Sequence, residues 1–297
     1  MWKSVTLLHV CLLSFFVRGL VGEAFGDGKT WSSDGVEGYL LTDECSVDRI
    51  PLRAIEDYLF EAFYLEQKPV IIVGTENERF ARLTEKGALL EKYGDIEVTL
   101  SSANSISYRK SPKLFRDYIS DMKPQTLDRL GNETFYLFGP DKEISEELTP
   151  LISTYRRPSL ASDDLAFSFG IGPSGSGVPF HIHGHGFNEV VHGRKRWLLY
   201  PPDHMPPFNP DASSAHWLKH VYPTLKGGDR EKLQDCIIEV GEVLYFPSMW
   251  WHSTINIGET VFMSSFDARQ VEKQDKDLGF RGKWWKSSVG SILSKEL

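Results

Sequence analysis

Cysteine is scarce in this chain: Cys11, Cys45 and Cys236 are the only three among 297 residues. A chain of this length buries a large core without cross-links to compensate for small size, so a disulfide-built scaffold is excluded. Positive charge is also short. Lys and Arg number 33 against 41 Asp and Glu, a formal net charge of −8, which argues against a general nucleic-acid binder with its basic footprint. Internal repeats, heptad series and low-complexity tracts are absent, so neither a solenoid nor a coiled coil is expected. What remains is a globular composition, 41% hydrophobic and 12% aromatic, sufficient for one large all-β domain or two ordinary ones.

A long apolar run is missing too. "MWKSVTLLHVCLLSFFVRGLVG" opens with Lys3 and an apolar stretch from Val5 to Val17. At about 13 residues it falls short of the ~20 a membrane span requires. A leading charge, an apolar core and small residues near Gly22 form a secretory signal pattern. Arg18 interrupts the approach to cleavage, and an uncleaved anchor is the alternative. Residues 1–22 are therefore expected to be removed. The mature chain is expected in the endoplasmic reticulum lumen or secretory pathway, with no membrane span.

Asn132-Glu133-Thr134 is the one Asn-x-Ser/Thr acceptor, usable for glycosylation in that compartment. Loss of Cys11 leaves Cys45 and Cys236, which in an oxidising compartment form either a disulfide or two separate buried thiols. The chain ends Ser294-Lys295-Glu296-Leu297, a degenerate echo of the Lys-Asp-Glu-Leu retrieval signal.

After a polar entry at 23–45, "PLRAIEDYLFEAFYLEQ" spaces Leu52, Ile55, Leu59 and Phe63 three or four apart, predicting an amphipathic helix. "KPVIIVG" reads as a buried strand ended by glycine. "FARLTEKGALLEKYG" and "PKLFRDYISDMK" read as helices around the strand "IEVTLSS", and "ISEELTPLISTYRR" as a helix broken near Pro150. From residue 165 short runs rich in β-branched and aromatic residues alternate with Gly, Pro and Ser. That is the mark of a sandwich or barrel of antiparallel strands. Residues 203–235 read as a long insert. The Lys-rich tail with "KWWK" receives no role.

The chemistry concentrates in "PFHIHGHGFNEVVHGRKRWLLYPP". A strand sends residues i, i+2 and i+4 to one face, so His181, His183 and His185 are expected to point together. Imidazole is the commonest metal ligand at neutral pH, and a His-x-His pair facing into a barrel can share one ion. His252, in the apolar strand "MWWHSTINIG", is a third candidate. A core histidine bonded to a neighbour is the plainer alternative, since any buried histidine needs a partner. His192, His204, His216 and His220 fall in turns or inserts and receive no role.

These blocks, "KPVIIVG", "FGIGPSGSGVPFHIHG", "FNEVVHGRKRWLLYPP" and "GEVLYFPSMWWHSTINIG", resemble the JmjC domain in their order and spacing. The resemblance covers residues 50–268, between an N-terminal extension at 23–49 and a tail at 269–297. It implies a mainly β protein with a helical N-terminal part, built on a cupin-like double-stranded β-helix. It further implies Fe(II) and 2-oxoglutarate as cofactors and a protein partner or substrate. The family's metal motif falls on His181, His183 and His252. Its 2-oxoglutarate lysine falls on Lys195, and asparagines of small JmjC hydroxylases fall on Asn188 and Asn256. A dianion inside a barrel needs a cation beside it, a physical reason for Lys195, which without the resemblance reads as an exposed turn lysine.

Two positions depart from the family pattern. His183 stands where the family has a carboxylate, removing one negative charge from the metal shell and bringing it closer to three-histidine zinc sites. Val178 stands where many relatives have a hydroxyl. A second register stays open: cupins of the germin type use His-x-His with a nearby Glu, which would fall on His183, His185 and Glu189. Three functions compete on these residues. They are a lumenal 2-oxoglutarate-dependent protein hydroxylase, a catalytically inactive JmjC-fold scaffold, and a zinc hydrolase for which no general base stands out. A lumenal address would make chromatin an improbable substrate.

Overall fold

The computed structural model describes residues 29–55, 57–162 and 165–266. The expected signal peptide, the tail at 269–297 and its Ser-Lys-Glu-Leu end lie outside the described residues. Ten strands run in chain order: β1 (Asp48–Pro51), β2 (Val70–Val73), β3 (Glu97–Ser102), β4 (Lys110–Leu114), β5 (Phe135–Gly139), β6 (Ala166–Gly172), β7 (Gly186–Tyr200), β8 (Gln234–Ile238), β9 (Glu242–Phe246) and β10 (Trp251–Phe266). The four longest helices among the described residues flank them, α1 (Asp57–Phe63), α2 (Glu78–Leu83), α3 (Lys86–Tyr93) and α4 (Phe115–Asp121).

The long antiparallel pair β7 and β10 forms the spine. Trp251–Ile257 pairs with Tyr200–Arg194, the register then shifts, and Val261–Phe266 pairs with His192–Gly186. Gly193 and Gly258 sit at the shift with φ of +77° and +74°, a conformation open to glycine without strain. A β-carbon on Gly193 would fall 2.5 Å from the Glu259 carbonyl oxygen. Such irregularities bend strands, and here each spine strand serves two layers. The first halves of β7 and the second of β10 lie between β6 and β9, with β2 and β1 beyond β9. The other halves lie between β8 and the His181 segment, which bridges to His252. This is a double-stranded β-helix, extended past β6 by β5, β3 and β4.

Strand alternation gives the central strands two cores. Leu244 and Phe246 point inward to meet Val190, Trp197, Leu199 and Ile238. Val243 and Tyr245 point outward onto Phe60 and Tyr64 at α1. Leu198 and Tyr200 turn outward under Trp217 and Leu218 of the insert. Cys45 and Cys236 form a disulfide with 4.4 Å between α-carbons, tying the segment before β1 to the inner face of β8.

The expected first helix is shorter and turned. α1 spans Asp57–Phe63 only, and Phe60 rather than Phe63 is buried, Phe63 being 56% exposed. Packing against Phe187 and Tyr245 selects that face. "PKLFRDYISDMK" divides between β4 and α4 because Lys110–Leu114 pairs with β3. "FNEVVHG" and "KRWLLYPP" prove to be one bent strand, β7.

Candidate metal centre

His181 and His252 are placed by reciprocal backbone bonds, His181 N–H to His252 O at 3.1 Å and His252 N–H to His181 O at 3.0 Å. His183 lies two residues on, its carbonyl accepting from Met249 N–H at 2.9 Å. Each ring is then oriented by its own neighbourhood. His181 Nδ1 meets Pro179 O at 2.9 Å, His183 Nδ1 meets Gly184 O at 2.8 Å, and His252 Nδ1 meets Trp250 O at 2.8 Å. A carbonyl oxygen only accepts, so each Nδ1 carries the proton and each Nε2 exposes a lone pair. One ligand atom from each of the three rings lies within 4.8 Å of the others. Nε2 of His183 and of His252 stand 3.1 Å apart. Two nitrogens each about 2.0–2.1 Å from a shared ion stand roughly 3 Å apart. The spacing fits one cation between them, where two lone pairs alone would repel.

Burial is the main cause that keeps these rings neutral. It lowers the His181 pKa to about 4. With the neighbouring His181 it lowers that of His183 to about 3, and it drives His252 well below the usual value. Neutral imidazole is the form that binds metal. The wall is apolar: Phe246 lies 4.4 Å from the His252 ring, Phe266 lies 5.0 Å from that of His183, and Trp197 stacks on His252. No carboxylate joins the group among the described residues.

The germin-type register is not assembled. His185 turns away from the other two, its Nδ1 donating to Glu66 Oε1 at 2.6 Å. Glu189 is buried elsewhere, accepting from Thr75 Oγ1, Asn77 Nδ2 and Tyr155 Oη. Regular strand geometry is lost after His181, so the expected common face of His181, His183 and His185 stops at the first two.

Further inside, Lys195 is 1% exposed. Its Nζ donates to Asn256 Oδ1 at 2.7 Å and lies 3.6 Å from the centre of the Phe262 ring. Among the described residues no carboxylate pairs with it, and burial pushes its pKa well below the ordinary lysine value. Asn256 Nδ2 donates to Ser176 Oγ at 3.0 Å. Gly172 leaves the space, since a β-carbon there would lie 2.4 Å from Asn256 Nδ2 and 2.7 Å from Ser176 Oγ. Asn188 Nδ2 donates to Ser264 Oγ. Asn188 Oδ1, Tyr136 Oη and Trp197 Nε1 are buried without a hydrogen-bond partner among the described residues, which is costly unless something else satisfies them.

The fold and both groups of residues can be set beside known proteins. A family model described as a cupin-like domain matches residues 56–266. The chain is 42% identical over 250 residues to JmjC domain-containing protein 8 of Rattus norvegicus, covering 82% of this chain and 90% of that protein. The protein of that name in Homo sapiens is 42% identical over 248 residues, covering 82% and 91%. The chain belongs to the cupin-like JmjC family. A more distant JmjC relative is the 2-oxoglutarate and iron-dependent oxygenase JMJD4 of Gallus gallus, 27% identical over 201 residues and covering 58% of this chain and 46% of that one.

Set against the JmjC pattern, the structure brings His181, His183 and His252 together and places Lys195 beside Asn256. Asn188 stays on its own with Ser264. Sequence reasoning missed Tyr136, Ser176 and Thr254. Thr254 lies two residues after His252, and its Oγ1 accepts from Val178 N–H at 3.2 Å. It thus carries a hydroxyl beside the position where Val178 lacks one. The i, i+2 step from His252 through Thr254 to Asn256 was the available signal; Tyr136 comes from a strand far away in sequence and gave none. Asn132 is held by its Nδ2, which donates to Tyr108 Oη at 2.9 Å. No helix among the described residues is long and apolar enough to cross a membrane.

Proposed function

We propose that this JmjC-family protein holds a divalent metal through His181, His183 and His252, binds 2-oxoglutarate at Lys195, and hydroxylates a protein side chain in the endoplasmic reticulum lumen. The observation that carries this reading is a buried Lys195, with no carboxylate beside it among the described residues, in the same barrel as three imidazoles with converging Nε2 atoms. The donor set suits a first-row ion, since nitrogen ligands serve iron and zinc alike. The bound metal would supply a meeting point for co-substrate and oxygen.

The chain's own residues do the rest. The carbonyls of Pro179, Gly184 and Trp250 fix the ring tautomers, as outer partners of metal ligands do. Lys195 offers charge to a carboxylate, with the phenol of Tyr136 as a neutral donor kept protonated by burial. Phe246, Phe266 and Trp197 exclude water. The lumenal address rests on the signal pattern at 1–22 and carries with it a glycan at Asn132.

A second reading is a non-catalytic scaffold, with zinc as a structural ion. The residue at position 183 favours it: three neutral ligands leave the shell one negative charge short of the two-histidine, one-carboxylate set that suits non-haem iron. Val178, buried against Tyr136 and Phe262, favours it as well.

The test is anaerobic purification of the mature chain and of a His183→Asp variant, with bound metal and 2-oxoglutarate consumption measured for both. Turnover by the natural chain supports the hydroxylase. Turnover by the variant alone supports the scaffold. Absence of iron and 2-oxoglutarate binding in both sinks the hydroxylase reading.

A further inference from the structure

We propose that Glu66 is a positioning residue for the metal centre, clamping together the two loops that deliver His183 and His252. The inference rests on the metal reading above and adds a residue that the ligand motif does not contain. Glu66 lies in the turn between α1 and β2, far from both loops in sequence. Its Oε1 accepts from His185 Nδ1 at 2.6 Å and from Ser248 Oγ at 2.9 Å, and its Oε2 accepts from Ser248 N–H at 3.0 Å. Ser248 Oγ in turn accepts from His185 N–H at 3.0 Å. The carboxylate, the loop after His183 and the loop before His252 thus close a ring of bonds.

The backbone shows the same convergence. Glu66 has φ of +56° and Met249 has φ of +63°, a region where residues other than glycine are strained and persist only when their surroundings hold them. Both are held. Glu66 N–H donates to Tyr245 Oη at 2.9 Å, and Met249 N–H donates to His183 O at 2.9 Å. Met249 therefore links one histidine loop directly to the other, and Glu66 grips the residue on either side of that link, His185 and Ser248.

An ordinary surface ion pair contributes little, and Glu66 is partly exposed, its side chain 42% accessible. The difference is in the partners. Two of its three bonds go to Ser248, one of them to the main chain, so the carboxylate fixes loop geometry whatever the charge of His185. Partners bonded to the ligands themselves cost about 10- to 100-fold in metal affinity when removed; Glu66 bonds residues beside two ligands, which sets its expected effect at the lower end of that range. Aspartate in this place is one methylene short. Glutamine keeps one acceptor oxygen but turns an NH2 group toward donors.

The experiment compares Glu66→Ala and Glu66→Gln with a control, Lys68→Ala, which breaks the exposed Lys68–Asp48 pair on the same turn. Two quantities are read on the full chain: amide hydrogen exchange at His181, Met249 and His252, and Co(II) titration followed by the visible absorption of the bound ion. Expected for both Glu66 variants is exchange faster by at least about tenfold at those amides, Co(II) affinity weaker by about tenfold, and an altered absorption band. Lys68→Ala is expected to match the wild type. Should Glu66→Ala fail to fold, Ser248→Ala removes part of the same ring from the other side, and the Glu66→Gln, Ser248→Ala double variant is expected to be no worse than the poorer single one. Wild-type exchange and Co(II) binding in the Glu66 variants, or equal losses in Lys68→Ala, overturns the proposal. A wild-type chain that takes up no Co(II) defeats the metal reading instead, and exchange then decides the clamp.

Discussion

At the mouth of the barrel, three imidazoles have their Nδ1 protons committed to backbone carbonyls and their Nε2 atoms turned toward one another. Deeper inside, Lys195 has one amide oxygen and one ring, while Tyr136 Oη, Trp197 Nε1 and Asn188 Oδ1 find no hydrogen-bond partner among the described residues. The two ends differ in what they offer. The mouth presents lone pairs, which suit a cation. The interior presents Lys195 and two donors, Tyr136 Oη and Trp197 Nε1, which suit an anion, beside one acceptor, Asn188 Oδ1. Buried polar groups of a protein are normally satisfied, and the contrast fits the proposed pair of a metal and an anionic co-substrate.

The sharpest break in this comparison is at the mouth. His252→Ala is expected to abolish stoichiometric metal uptake, a loss of 100-fold or more in affinity measured by calorimetric titration. His252 is the most buried of the three, and its removal leaves only the two ligands of one short segment. Retained stoichiometric binding would show that the three rings do not act as a unit.

Lys195→Met separates the interior from the mouth. It is expected to weaken 2-oxoglutarate binding by about 30- to 5000-fold, the loss expected of about 2–5 kcal/mol when one partner of a buried charge pair is removed, while leaving metal uptake unchanged. The sign for stability is the reverse. Burial lowers the folded-state pKa of Lys195, so between that value and about 10.4 the unfolded chain binds more protons and stability rises with pH. The variant should therefore melt at a higher temperature than the ligand-free wild type at neutral pH, with the gap closing as the pH approaches 10. A variant that melts lower, or a gap that does not move with pH, would place a counter-charge beside Lys195.

Gly172→Ala tests the cradle around Asn256. Its β-carbon would lie 2.4 Å from Asn256 Nδ2, and overpacking of this kind costs about 1–3 kcal/mol. Lower denaturant stability and weaker 2-oxoglutarate binding are expected together, with metal affinity kept. The smallest effect belongs to Val178→Thr, which adds a hydroxyl beside Thr254. A gain of at most a few-fold in 2-oxoglutarate affinity is expected by titration, and a loss would mean that Val178 serves packing against Tyr136 and Phe262 alone.

Much of this was legible before any coordinates. The strand blocks after residue 165 fall where alternation and turn residues put them, because apolar side chains on a pleated strand must meet a core on at least one face. His181, His183 and His252 stood out by residue type and spacing. The first helix was misjudged, since several apolar faces were available in 51–67 and only contact with Phe187 and Tyr245 selected Phe60. The merging of two short runs into β7 was hidden because Gly193 reads as a turn in sequence and acts as a bend within a continuous strand.

The sequence by itself determined which residues could carry the chemistry: the histidines, Lys195, the asparagines, and the absence of a carboxylate at position 183. Only the tertiary structure decided which of them meet. His185 and Glu189 belonged to a competing local pattern, yet one is bonded to Glu66 and the other lies among Thr75, Asn77 and Tyr155. The physical reason is that spacing constrains direction only while the strand stays regular. Past His181 direction is set by hydrogen bonds to residues distant in sequence, which no local pattern records.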